Sequence, residues 1–350
     1  MSVPDRPLLR RFPGLSLPRV PLLAGPTPVR RVTELEAEIG AAGLWLKDDG
    51  RSAPPYGGNK PRKLEWLLGA ARAAGRTRVL SIGADGSNYC LATAIHGTRA
   101  GFTVELLVSP QPPTDGVRRN IELALGAGAT YAAAGGDAGL LWRWGRRALF
   151  DGSTQATWFG GSSPLGTVGF VDAALELAEQ VASGELPPPD VIVLPTGSVG
   201  SHAGLVLGLR LAGLPIDVVG VRVTPKILGN AAMVAAVANR TSALLHRADP
   251  TIPRIVVKSS EIRVHDGFFG EGYGVLTPAS AAAMERAQAI GLTLDPTYSS
   301  KAFAAALTEP TLAGRTVLFW NTYNACSLDD LPRGDPATLP AALRRRAFGA

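Results

Sequence analysis

The chain alternates between two hydrophobic periods. Short apolar runs of strand type recur at 44–47, 78–82, 103–108, 129–134, 190–194, 217–223 and 317–320. Between them lie longer segments whose apolar residues return every three or four positions, as on a helix. These are 32–42, 63–74, 88–100, 116–125, 138–149, 169–182, 200–212 and 231–243. Runs such as 191–194 are apolar at consecutive positions, the pattern of a strand whose sheet is covered on both faces. Strands alternating with helices predict an α/β fold of parallel sheets coated by helices, with ligands at the carboxyl ends of strands. A Pro-rich lead-in precedes the first of these elements, 48–56 is loop, and 184–189 is a connecting loop.

At 350 residues the chain can bury two sizeable cores, and 46% hydrophobic with 18% charged residues is a globular composition. The net charge of +6 comes largely from arginines scattered over helices. Without a dense basic block interleaved with aromatics, it argues against a nucleic-acid partner and suits an anionic cofactor and a carboxylate substrate. Arg344-Arg345-Arg346 reads as a solvated helix face or tail. Cys90 and Cys326 have neither metal nor disulfide spacing, which fits a reducing cytoplasm. The four histidines are dispersed, so no metal site is expected. Arg10-Arg11 is followed by Pro13, Pro18 and Pro21 rather than by a long apolar core, and no stretch reads as a membrane span. A cytoplasmic location is expected.

One segment concentrates chemistry: Gly57-Gly58-Asn59-Lys60-Pro61-Arg62-Lys63-Leu64-Glu65. Two glycines give a backbone that a ligand can approach, Asn59 can cap a helix, and Pro61 suits a first helical turn. Lys60 is therefore held at a loop-to-helix junction, where a lysine can form a Schiff base with an aldehyde cofactor. Lys63 lies one turn on, so both amines can lean towards one site.

Other segments are ambiguous taken singly. Thr196-Gly197-Ser198-Val199-Gly200-Ser201 follows an apolar run and opens a helix. It can offer backbone N–H groups to a phosphate, or be a plain strand–helix turn. Ser87 and Asn88 can hold a carboxylate or phenolic oxygen, or only cap their own helix. Tyr298 can move protons or stack on a ring, or be a core tyrosine. The Asn321-Thr322-Tyr323-Asn324 cluster can meet a ring nitrogen, or be a turn.

Their joint order resembles the D-cysteine desulfhydrase and 1-aminocyclopropane-1-carboxylate deaminase family, within the tryptophan-synthase-like, fold type II pyridoxal phosphate enzymes. The resemblance runs from about residue 11 to 327. It is carried by Arg11-Phe12-Pro13, Pro26-Thr27-Pro28, Leu46-Lys47-Asp48-Asp49, the 57–65 segment, Ser87-Asn88, the 160–169 segment that opens with Gly160-Gly161-Ser162-Ser163, the 196–204 loop and 295–301. It implies two open, twisted, mainly parallel sheets flanked by helices. The larger cofactor-binding domain is expected over 1–54 and 161–350, and a smaller substrate-side domain over 55–160. It also implies pyridoxal 5'-phosphate as cofactor, a small amino acid as substrate and a homodimer.

By the same resemblance Lys60 matches the Schiff-base lysine. Lys63, Thr196, Gly197, Ser198, Val199, Gly200 and Ser201 match groups around the cofactor phosphate. Ser87 and Asn88 match residues that hold the substrate carboxylate and the ring oxygen. Tyr273 matches an active-site tyrosine, and Tyr298 one that assists proton transfer. Tyr89 and Tyr323 are expected to line the substrate.

The deaminase branch resembles Tyr-Glu-Gly where this chain has Tyr298-Ser299-Ser300, and His-Leu-Gly where it has Asn321-Thr322-Tyr323. A hydroxyl at Ser299 or Thr322 is a weaker partner for a ring nitrogen than a glutamate. That favours the desulfhydrase-like branch: β-elimination giving a 2-oxo acid and ammonia, catalysed by Lys60, Tyr298 and Ser87. Departures from the family lie around the substrate. Asp85-Gly86 stand before Ser87-Asn88 where a glutamine is usual, Tyr89-Cys90 follow them, and Tyr323 and Asn324 replace small residues. Replacement, cyclisation or epimerisation of an amino acid is the alternative outcome, and a non-catalytic homologue a further one.

Overall fold

The computed structural model describes residues 6–349, with the backbone alone for Asp137. The chain opens with α1 (Pro7–Arg11), β1 (Val29–Arg31), α2 (Thr33–Ile39), β2 (Gly43–Asp48) and α3 (Lys60–Ala73). It continues through β3 (Arg78–Ala84), α4 (Asn88–Arg99), β4 (Thr103–Ser109), α5 (Asp115–Gly126), β5 (Thr130–Ala133), α6 (Asp137–Phe150) and β6 (Thr154–Ala156). Next come α7 (Pro164–Ala182), β7 (Val191–Thr196), α8 (Gly200–Ala212), β8 (Asp217–Arg222), α9 (Ala231–Ala248) and β9 (Arg263–His265). The last elements are α10 (Pro278–Ala289), α11 (Ser299–Thr308), β10 (Thr316–Asn321) and α12 (Ala341–Phe348).

These elements form two compact units. The first comprises residues 6–16, 23–63 and 162–326; the second comprises 17–22, 64–161 and 327–349. Among the described residues the first unit has a six-stranded sheet in the order β1-β2-β10-β7-β8-β9, parallel except for the β1–β2 edge pair. The second has a four-stranded parallel sheet, β5-β4-β3-β6. Parallel neighbours need long crossovers, which the intervening helices supply.

The first unit's core follows from strand registers that align apolar side chains. Leu44, Leu46, Val191, Val193, Val317 and Phe319 are buried together with the Phe303 side of α11. The Phe303 and Phe319 rings pack at 4.8 Å between centroids. β10 lies at the sheet's centre although it is the last strand made. Its paired strands, β2 and β7, precede it by more than one hundred residues.

Several boundaries differ from the sequence reading. α3 begins at Lys60 rather than at 63, and α7 at Pro164 rather than at 169. Ser163 caps α7 by accepting from Gly166 N (3.1 Å), with Pro164 in the first turn. The three-residue strands β1, β6 and β9 are too short to carry a period. Residues 327–349, expected with the larger domain, belong to the second unit, where Gly334 N donates to Glu122 O of α5 (2.8 Å). No helix among the described residues is long and apolar enough to cross a membrane.

Candidate active site

The corner that leads into α3 is set by close backbone packing. A Cβ on Gly57 would stand 2.1 Å from Gly50 O. Gly58 has φ +83, and a Cβ there would stand 2.8 Å from Thr322 O. The glycine pair thus serves close approach to other backbone. Gly57 N donates to Asn324 Oδ1 (2.7 Å), and Asn59 N donates to Thr322 O (3.1 Å). The end of β10 therefore fixes where α3 starts.

A buried ion network anchors the first turn of α3 from within the first unit. Arg62 is fully buried and donates to Asp49 Oδ1 (2.8 Å), Glu176 Oε1 (3.0 Å) and Glu176 Oε2 (3.0 Å). Lys47 Nζ donates to Glu176 Oε1 and to Thr27 O, each at 2.6 Å, and Trp320 Nε1 donates to Asp49 Oδ2 (2.9 Å). Burial opposes the guanidinium charge, but the two carboxylates outweigh it and hold Arg62 charged. Arg62 points into this network while Lys60 and Lys63 stand on either side of it in sequence.

The two lysines differ. Lys60 is half-buried, and its amine makes no hydrogen bond or ion pair among the described residues. Burial lowers its pKa to about 8, with the Asp295 charge opposing. Lys63 is buried, and its pKa is lowered well below the ordinary value by burial and then by the Lys60 charge. The Lys60 charge thus reaches the Lys63 amine, one helical turn on. Lys63 Nζ donates to Ser162 Oγ (3.1 Å) and lies 5.9 Å from the centre of the Phe170 ring.

Ser162 links Lys63 to the loop after β7. It donates to Ser198 Oγ (2.8 Å) and accepts from Gly200 N (3.1 Å). Asn59 Nδ2 donates to Ser201 Oγ (3.1 Å). Val199 caps α8 in the left-handed region at φ 58, a conformation that costs a β-branched residue on the order of 1–3 kcal/mol. Such a turn directs successive N–H groups towards one point at a helix start. Lys63, Ser198, Gly200 and Ser201 thus converge as expected. Ser162 and Asn59 join them unforeseen, although both lie in segments that stood out in the sequence. Thr196 turns elsewhere: its hydroxyl pairs with His202 Nδ1 (3.2 Å).

Tyr298 caps α11, and the turn before it is organised by Asp295. That buried carboxylate accepts from Thr297 N (3.2 Å), Tyr298 N (3.0 Å), Ser299 N (2.8 Å) and Ser299 Oγ (2.7 Å). Burial raises its pKa, and these donors pull it back. The Tyr298 ring passes 3.5 Å from where a Cβ on Gly197 would stand, and its hydroxyl meets that of Tyr273 in a direct hydrogen bond. Lys301 Nζ donates to Phe269 O (2.5 Å) and so holds the turn that leads to Tyr273. Ser299 spends its hydroxyl proton on Asp295, whereas the Thr322 hydroxyl makes no hydrogen bond among the described residues. Tyr323 is half-buried beside it.

In the second unit, Ser87 and Asn88 stand at the turn from β3 into α4. Ser87 Oγ caps α4 by accepting from Cys90 N (3.4 Å), the capping alternative read from the sequence. Asn88 Oδ1 accepts from Asn120 Nδ2 (3.0 Å), which leaves its amide N–H groups directed away from α5. Tyr89 is 2% exposed, with its ring near Gly161, and burial pushes its phenol up. Its side chain packs in the interior of its unit.

A family model described as pyridoxal-phosphate dependent enzyme matches residues 20–322. The chain belongs to this family. It is 38% identical over 328 residues to a nocardicin C-9' epimerase of Nocardia uniformis subsp. tsuyamanensis, which covers 88% of this chain and 93% of that protein. It is 30% identical over 296 residues to a D-cysteine desulfhydrase of Salmonella choleraesuis (strain SC-B67), covering 82% and 87%. The solved structure of an ACC deaminase homologue superposes with a TM-score of 0.76 at 26% identity, covering 92% of this chain and 94% of that one. Within the pyridoxal phosphate enzymes, the chain therefore falls with the D-cysteine desulfhydrase and ACC deaminase group, with the type II fold.

The donor set of the first unit fits this family's cofactor. A phosphate dianion calls for hydrogen-bond donors gathered at a helix start, which Lys63, Ser162, Ser198 and the first turn of α8 provide. An aldehyde calls for an amine with lowered pKa and no competing partner, which Lys60 provides. A ring nitrogen calls for a free hydroxyl, and Thr322 has one where Ser299 does not.

Proposed function

We propose that this pyridoxal phosphate enzyme inverts configuration at the α-carbon of an amino acid. The observation that carries the reading is the relation to the nocardicin C-9' epimerase, which exceeds that to the desulfhydrases in both identity and coverage. The hydrogen-bonded Tyr273–Tyr298 pair supports it, because inversion needs one group to take a proton and another to return one.

Pyridoxal phosphate, once held, supplies an electron-withdrawing ring conjugated to the substrate nitrogen, which acidifies the α-proton. Lys60 is the residue that would carry it, with Lys63, Ser162, Ser198 and the α8 start around the phosphate and Thr322 at the ring nitrogen. In the second unit, Ser87 and the Asn88 amide match, by the family resemblance, the residues for a substrate carboxylate. The Lys60 amine serves one face of the α-carbon as base or acid. Tyr298 serves the other, and Tyr273 passes its hydroxyl proton along the pair. The proton removed from one face is balanced by the proton returned to the opposite face, so no bond is lost and no co-reactant is consumed.

The test is turnover of D- and L-amino acids in D2O. Epimerisation is expected to place deuterium at the α-carbon of both configurations without 2-oxo acid. Stoichiometric 2-oxo acid and ammonia would instead establish β-elimination. That second reading is favoured by the desulfhydrase relatives and needs the same first proton removal. Tyr298→Phe is expected to lower kcat by roughly a hundredfold or more while the cofactor's visible absorbance persists. Unchanged kcat would remove Tyr298 from the proton path.

A further inference from the structure

The segment read in the sequence as a solvated helix face or tail reaches the turn that carries Ser87 and Asn88. Of the three consecutive arginines on α12, Arg345 is exposed, while Arg346 shares the inward face with buried Leu343 and Ala347. Arg346 Nε donates to Asp85 Oδ2 (2.6 Å) and Nη2 to Asp85 Oδ1 (2.5 Å), a two-pronged grip on a carboxylate whose side chain is 1% exposed. Asp85 follows β3 directly and precedes Ser87 by two residues. Its backbone N donates to Ser109 O (3.1 Å) at the end of β4.

The same turn is held from α5. Asn120 Nδ2 donates to Gly86 O (2.9 Å) and to Asn88 Oδ1 (3.0 Å). A Cβ on Gly86 would stand 2.8 Å from Val117 Cα, so the turn lies flat on that helix. α12 is tied to α5 in turn, through Arg118 Nε donating to Ala347 O (2.9 Å). Asp85, Gly86 and Asn88 are therefore fixed by two helices distant in sequence.

We propose that Arg346 is a positioning residue for the substrate carboxylate, acting through Asp85 on the Ser87–Asn88 turn. The proposal rests on the reading of Ser87 and Asn88 as the carboxylate site. It accounts for a departure from the family pattern: an acidic residue just before Ser87-Asn88 is tolerable only if its charge is neutralised locally. A buried carboxylate stripped of its arginine has two effects. It loosens the turn, and it repels a second carboxylate brought to the neighbouring residues.

Arg346→Ala is expected to raise KM for the amino acid by about tenfold or more, with kcat changed by less than about threefold and the cofactor absorbance unaltered. Hydrogen exchange of the cofactor-free protein is expected to rise across residues 86–90. Asp85→Asn removes the unpaired charge, so the double variant with Arg346→Ala is expected to recover most of the lost KM. Arg346→Lys, which keeps the charge but not the fork, is expected to lie between and serves if the alanine variant does not fold. Wild-type KM and exchange in Arg346→Ala or Arg346→Lys, or a double variant no better than the single, would overturn the proposal. Ser87→Ala separates the two readings. If it raises KM while Arg346→Ala does not, the brace alone fails; if neither does, the carboxylate site fails and the brace with it.

Discussion

Lys60→Ala protein is expected to hold pyridoxal phosphate only by noncovalent contacts and to lose at least about a thousandfold in turnover. The Lys60 amine is poised for this role. It is half-buried, bonded to nothing among the described residues, and lowered to about 8 by burial against the opposing charge of Asp295. A lysine attacks an aldehyde only when neutral. At pH 7 a pKa of about 8 leaves roughly a tenth of the amine neutral, against about one part in three thousand for an ordinary lysine. The rate at which cofactor-free protein takes up pyridoxal phosphate covalently should therefore climb with pH and level off above about 8, not above 10. Stopped-flow absorbance measures it. Persistent covalent attachment in Lys60→Ala, shown by borohydride reduction and mass analysis, would assign the role to another lysine.

Arg62→Met is expected to lower the unfolding free energy by about 3–5 kcal/mol, because it leaves buried carboxylates without their main counter-charge. Asp49 and Glu176 are both buried, and Lys47 alone cannot neutralise them. Arg62→Lys is expected to recover only part of the loss, since one ammonium cannot grip both carboxylates as the planar fork does. Urea titration of the holoenzyme reads the effect. A midpoint unchanged in Arg62→Met would show that the network contributes no net stability. The site responds too: Arg62 sits between Lys60 and Lys63, so a loosened first turn of α3 displaces both amines.

The parts of this architecture that local chemistry dictates were legible in the sequence. Alternating periods identified the parallel sheets, and Lys60 with Lys63 one turn apart foretold two neighbouring amines, of which Lys63 feels the charge of Lys60. What escaped depends on distant backbone meeting distant backbone. Gly57 and Gly58 look like room for a ligand, yet their missing side chains make room for residues 50 and 322. Ser162 and Asn59 lie in conspicuous segments, but no local pattern says that they converge on the α8 start. Ser299 and Thr322 looked equivalent as hydroxyls, and only Asp295, four residues before Ser299, separates the occupied from the available one. Tyr89 looked like a pocket residue because it follows Asn88; its burial depends on Gly161, far along the chain.

The central position of β10 also bears on how the protein is made. On the ribosome, a nascent chain that has not reached Asn321 lacks the strand that joins β2 to β7, and lacks Thr322, against which the Gly58–Asn59 corner closes. Pairings this remote in sequence are slow to form and come late. The lysine is synthesised early, but the walls around it are not complete until β10 and Thr322 have been made, so capture of the cofactor waits for a strand far downstream of the lysine that holds it.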